Sequence, residues 1–219
     1  MNFEDWEPFY EAILEEFGYS RDEDRRGARS LNRRLRPFDT RRLERLFDSR
    51  EAVVVGNAPS LEPREVTTTP GGVTVAADAA AERLYEAGVE VDVVVTDLDG
   101  APSHAARLSQ EGTVVAVHAH GDNVEAVGRY LPRFEDENTV GTTQTRPFGV
   151  LHNFGGFTDG DRAAFLADEF GAQSIRLAGF DFEDAHGEKR HKLRWARRLL
   201  RVLGEDRDER LCNTGFDKN

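Results

Sequence analysis

Apolar positions at the start of the chain recur at helical spacing. Trp6, Tyr10, Ile13 and Phe17 step by four, three and four, one stripe along a helix that Gly18 ends. A second helix is predicted over residues 20–35 with Ser20 as its N-cap, and a third over 39–47 after the breaker Pro37. From Ala52 onward the texture changes to short β-branched runs at 52–55, 73–76, 91–95, 113–117, 138–142 and 175–178, separated by helical stretches. Runs of four or five apolar residues without alternation belong to strands covered on both faces. The pattern therefore predicts an α/β fold: a doubly wound, mostly parallel sheet with helices on both faces and an N-terminal helical extension. Residues 1–48 are expected to pack on an α/β domain spanning 49–219. A late helix is marked by the apolar stripe Leu193, Ala196, Leu200 and Leu203, with Arg190, Arg194, Arg197 and Arg201 on its other face.

Composition narrows the function classes. Lys and Arg number 29 against 41 Asp and Glu, a formal net charge of -12, which argues against a generic nucleic-acid binder. The arginines from Arg25 to Arg42 are interleaved with Asp22, Glu23, Asp24, Asp39 and Glu44, the composition of a solvated face. No apolar stretch approaches the roughly 20 residues that span a bilayer, and the start lacks an export signal. The expectation is a cytoplasmic protein without membrane partners. Cys212 is the single cysteine and forms neither an internal disulfide nor a thiolate cluster by itself. Lysine occurs only at 189, 192 and 218, and acid excess with so little lysine is the surface habit of a chain working in concentrated salt.

Ligands of open parallel sheets bind beyond the carboxyl ends of the strands, so the loops there are the place to seek chemistry. The first, Gly56-Asn57-Ala58-Pro59-Ser60-Leu61, has no Walker lysine and no dinucleotide fingerprint. Its glycine admits a phosphate to the backbone, and Asn57 and Ser60 are available as donors; a tight turn with Ser60 capping a helix is the alternative. Asp78 follows the second strand. After the third comes Thr96-Asp97-Leu98-Asp99-Gly100, whose two carboxylates can converge on one hard cation; an Asx turn closed by Gly100 competes. His118, His120 and Asp122 are candidates for substrate hydrogen bonding, acid-base work or a transition metal. The loop from Asn153 and Phe154 through Asp161 is suited to closing over a planar ring, or to capping a helix. Lys189 and Lys192, close together after Gly179-Phe180-Asp181, offer compact ammonium groups for phosphate.

In this order, the Gly56 loop, Asp78, the Asp97–Asp99 turn, the His118–Asn123 stretch and Gly179-Phe180-Asp181 resemble the archaeal 6-hydroxymethyl-7,8-dihydropterin diphosphokinase family. The resemblance implies a fold related to the catalytic domain of thiamine pyrophosphokinases, although the acidic turn departs from theirs at both ends. It implies ATP as co-substrate and Mg²⁺ as cofactor, with diphosphate passing to the pterin hydroxymethyl oxygen and AMP released, for tetrahydrofolate or methanopterin synthesis. Under it, Asp97 and Asp99 hold the metal and, with His120 and Asp122, form the catalytic set. Gly56, Asn57, Ser60 and Lys192 receive ATP, while Asp78, Asn153 and Phe154 contact the pterin. Sugar-nucleotide-dependent glycosyltransferases share a similar Gly-Asn-x-Pro-Ser-Leu loop and supply the enzymatic alternative; a silent nucleotide-binding scaffold is the other. The expected partners are small molecules, and a homo-oligomer is left open.

Overall fold

Helix α1 (Phe3–Phe17) buries the predicted stripe, with Trp6, Tyr10 and Ile13 almost wholly enclosed and Phe17 against the edge of the same core. Asn2 caps its start by accepting from the Asp5 N–H at 2.9 Å. At its end Gly18 turns left-handed, and the Tyr19 N–H returns to the Leu14 carbonyl at 3.0 Å. Ser20 then caps α2 (Arg21–Asn32), which is shorter than the sequence suggested, and α3 (Arg41–Phe47) follows. In the computed structural model, which describes residues 1–182, 186–206 and 211–213, these helices precede the sheet. Lys218 and the side chain of Cys212 lie outside the described part.

The remaining elements are β1 (Glu51–Val55), β2 (Val73–Ala77), α4 (Ala80–Glu86), β3 (Val93–Thr96), α5 (Pro102–Gln110) and β4 (Val114–Ala119). After them come α6 (Val124–Tyr130), β5 (Thr139–Thr143), β6 (Leu151–His152), α7 (Asp159–Glu169), β7 (Ser174–Ala178), α8 (Gly187–Asp206) and β8 (Leu211–Asn213). Strands β1 to β7 form a wholly parallel sheet, extended beside β7 by β8, in the order β6-β5-β4-β3-β2-β1-β7-β8. The six predicted strands are all present. The short β6 and β8 escaped the sequence pattern because two or three residues show no periodicity. No α-helix follows β1, only a turn of 3₁₀ helix at Pro63–Glu65, so Ser60 is not a helix cap.

Successive strand residues feed two separate cores. Val54, Val75, Val93, Val95 and Ile175 pack with α1, α3, α7 and α8, whereas Val53, Val55, Ala76, Val94 and Val115 pack with α2, α4, α5 and α6. That is the physical reason the strands read as unbroken apolar runs. The first two helices lie on opposite faces, and α2 packs on β4 and β5. The chain runs outward from β1 to β6 and then returns to β7 on the other side of β1. The strand order thus reverses between β1 and β7, where a crevice opens in folds of this kind.

Candidate active site

The crevice at the reversal is built on contact between two backbones. Gly56 N–H donates to Ala178 O at 2.8 Å and Ala58 N–H to Gly179 O at 3.1 Å. A Cβ at either glycine would stand 2.5–2.6 Å from the other's carbonyl oxygen, so neither loop tolerates a side chain there. Two side chains brace the Gly56 loop. Arg83 of α4 donates to Asn57 Oδ1 (3.0 Å), Ala58 O (2.9 Å) and Leu61 O (2.7 Å). Ser60 Oγ donates to Asp181 Oδ1 at 2.5 Å. The resulting cleft of about 490 Å³ is largely apolar, walled by Ala58, Pro59, Ala77 and Phe180, with Gly56 and Asp78 at its strand end.

Carboxylates gather beside it. The Asp78 carboxylate accepts from the Thr96 hydroxyl at 2.7 Å and from the N–H groups of Ala79 and Gly100. A side chain at Gly100 would overlap it. Asp97 Oδ1 accepts from the Asp99 N–H at 3.2 Å, so the Asx turn and the converging carboxylates coexist. Leu98 between them is 2% exposed and has φ +71°, a left-handed residue held by burial and by its N–H bond to Thr96 Oγ1. Burial raises Asp97, but the His120 hydrogen bond and the nearby Arg162 overcome it and hold the group down to about 2. Burial, then the charge of Asp97, pushes Asp99 up to about 6. Asp159, at the start of α7, is raised by burial and by Asp97, against its ion pair with Arg162 at 3.0 Å.

A second cleft, of about 500 Å³, opens on the other side of this cluster. Asp97, Asp99, His120, Asp122 and Arg162 line it, and the α1–α2 turn closes one wall. Thr158, Asp159, Lys189 and Leu193 line both clefts and so mark their junction. His120 Nε2 lies 3.3 Å from Asp97 Oδ2, while its Nδ1 accepts from the Asp122 N–H at 3.3 Å, so both ring nitrogens are engaged. Arg162 is nearly buried; it bonds Asp159 and reaches Gln144 Oε1 at 3.4 Å, and its Nε has no partner among the described residues.

The structure places Gly56, Asn57 and Asp78 on the first cleft and Asp97, Asp99, His120 and Asp122 on the second, so Asp78, expected on the pterin side, stands with the Gly56 loop instead. Ser60 lies behind its cleft, bound to Asp181. Lys192 lines the second cleft, not the one at the Gly56 loop, and pairs with Glu188 at 3.1 Å; Lys189 is the lysine at the junction. Asn153 and Phe154 line neither cleft. Asn153 donates to the carbonyls of Thr143 and Thr145, and Phe154 is buried against His152 and Phe170; Phe157 to Asp159, further along the same loop, reach the cleft instead. His118 is buried with Nδ1 3.0 Å from Thr142 Oγ1 and lines neither cleft. Sequence reasoning missed Arg83, Asp24 and Arg162. Their roles depend on partners distant in the chain, which no local motif signals.

Among the described residues no three His, Cys, Asp or Glu side chains form a ready metal cage. Asp97 and Asp99 nevertheless suit a hard dication, since burial and then the charge of Asp97 hold Asp99 high, and a cation would relieve the repulsion between them.

Comparison with known proteins follows the same lines. Residues 28–187 match the family described as MptE-like 6-hydroxymethylpterin diphosphokinase. A 6-hydroxymethyl-7,8-dihydropterin pyrophosphokinase of Pyrococcus furiosus is 41% identical over 222 residues, covering 93% of this chain and 94% of the relative. Proteins of the same description from Methanothermobacter thermautotrophicus (39% over 231 residues; 96% and 99% covered) and Methanocaldococcus jannaschii (36% over 198 residues; 83% and 80% covered) are also similar.

Proposed function

Because the chain belongs to the MptE-like 6-hydroxymethylpterin diphosphokinase family, we propose that its two clefts divide the substrates of that reaction between them. The activity is that of a 6-hydroxymethyl-7,8-dihydropterin pyrophosphokinase. ATP occupies the cleft at the strand reversal and the pterin occupies the second cleft. The observation that carries this division is the shared junction at Asp159 and Lys189, which lets a donor in one cleft meet an acceptor in the other.

Each side chain then has a role. The Gly56 backbone admits phosphate, the Asn57 amide has no partner among the described residues and faces the ligand while its oxygen holds Arg83, and Ala58, Pro59 and Phe180 take the apolar base. Lys189 reaches the junction with no ion pair among the described residues and supplies positive charge where the diphosphate passes. Asp78, fixed by three donors, lines the ATP cleft, while Asp97 and Asp99 line the second cleft on the other side of the cluster. Mg²⁺, when bound by Asp97 and Asp99, would neutralise charge on the phosphate oxygens.

The pterin hydroxymethyl oxygen bonds to the β-phosphorus, the bond from that phosphorus to the α-phosphate oxygen breaks, and AMP leaves. Such a transfer needs positioning and charge neutralisation more than a strong nucleophile. His120, with both nitrogens engaged, orients Asp97 rather than taking a proton. Asp122, whose carboxylate has no partner among the described residues, lines only the pterin cleft and receives the hydroxyl proton. Purified protein incubated with ATP, Mg²⁺ and hydroxymethyl-dihydropterin should yield AMP and the pterin diphosphate in equal amounts. ADP as the main nucleotide would overturn the proposal.

A further inference from the structure

We propose that the turn between α1 and α2, rather than the α/β core, recognises the acceptor: a planar, polar heteroaromatic ring docks against Tyr19. The inference rests on the division of the clefts given above and adds the element that reads the acceptor. Gly18, Tyr19, Ser20, Glu23 and Asp24 line the second cleft, whereas among the described residues the cleft at the strand reversal begins at Gly56. An N-terminal helical segment that touches one substrate and not the other is placed to govern specificity for that one.

The turn is held firmly although it lies at the surface. Asp24, 3% exposed, accepts from the Tyr10 hydroxyl (2.7 Å), Gln144 Nε2 (2.7 Å) and the Gly121 N–H (2.9 Å). One carboxylate thus ties α1, the end of β5 and the loop after β4 to the first turn of α2. Trp6 Nε1 adds a bond to Gln144 O at 2.9 Å. The packing is at backbone distance, since a Cβ on Gly27 would overlap His120 O and one on Gly121 would crowd Glu23.

The wall that results is aromatic. Tyr19 stacks on Phe17 with ring centres 5.3 Å apart, and Phe17 meets Phe157 at 5.4 Å. Tyr19 and Phe157 line the cleft with Leu98, Ala126 and Leu193. The Tyr19 hydroxyl donates to Glu188 at 2.9 Å and the Lys192 ammonium stands 5.8 Å from its ring centre, which fixes the ring's setting. Apolar walls with a few fixed polar groups are what a flat ring with a hydrogen-bonding edge requires.

Steady-state kinetics with each substrate varied at saturating levels of the other test this on Tyr19→Ala, Tyr19→Leu and Tyr19→Phe, with thermal melts alongside. Tyr19→Ala should raise the KM for hydroxymethyl-dihydropterin about tenfold, leaving the KM for ATP within about twofold. Tyr19→Phe, which keeps the ring, should stay close to wild type. If the alanine variant does not fold, Tyr19→Leu, which retains apolar bulk against Phe17, should show the same selective rise. An unchanged pterin KM in a folded alanine or leucine variant overturns the inference, as does a rise confined to ATP. Failure of the wild-type protein to form AMP from ATP and pterin would instead remove the underlying division of the clefts, and the inference with it.

Discussion

Two charged regions of this molecule use the same residue types to opposite ends. Along α2 charges of both signs are interleaved, and Arg25–Asp22, Arg26–Glu23 and Arg21–Glu11 pair at 3.0–3.4 Å. Beyond the strand ends charges of one sign converge: Asp97 raises Asp78, Asp78 and Asp97 raise Asp99, and all three raise Asp159. The first arrangement satisfies itself in water. The second is unfavourable until something positive enters it, which is why a gathered set of like charges marks a site and an interleaved run marks a solvated face.

The sharpest way to break that contrast is to remove charge from the converged set. Asp97→Asn or Asp99→Asn should lower AMP formation by about 100-fold or more while circular dichroism stays unchanged. Near-wild-type turnover in both variants would show that the cluster is ornamental. Next in size is Arg162, the nearly buried cation paired with Asp159. Arg162→Met leaves Asp159 buried without its partner and should cost about 3 kcal/mol in urea unfolding, most of it recovered in the double variant with Asp159→Leu. Additive losses in that double-mutant cycle would mean the pair is not coupled.

Titration sharpens the same point. Asp99 is held up to about 6 in the folded protein, against 3.8 ordinarily, so its contribution to stability is present below the ordinary value and lost as pH rises through about 6. Above that pH the repulsion is complete, and a dication that relieves it has most to offer. The rise in Tm on adding Mg²⁺ should therefore be larger at about pH 7.5 than at about pH 5, as differential scanning calorimetry would register. An equal rise at both pH values would detach the cation from these carboxylates.

Smaller effects are expected over the rest of the surface. With a net charge of -12, molar KCl should raise the midpoint of melting; a flat or falling midpoint would remove the reading of a salt-adapted surface. Smallest of all, Arg25→Ala and Arg26→Ala should shift stability by no more than about 0.5 kcal/mol and leave both KM values alone, because exposed pairs at this spacing contribute little.

The chain by itself determined the sheet and the location of its chemistry. Period-free apolar runs required strands buried on both faces, the helical stretches between most of them implied parallel pairing, and the polar loops at their carboxyl ends were legible as short motifs. Gly56, Asp78 and the Asp97–Asp99 turn could be read because local chemistry sets them. What only the tertiary structure decided is which of these loops meet. The junction of two clefts at Asp159 and Lys189, the bracing of the Gly56 loop by Arg83, the tie made by Asp24 and the withdrawal of Asn153 and Phe154 from the site all depend on it. Asp24 bonds to Gly121 across 97 positions and to Gln144 across 120. Contacts at such separations arise from the winding of the chain about the sheet, and no periodicity or spacing within one segment encodes them.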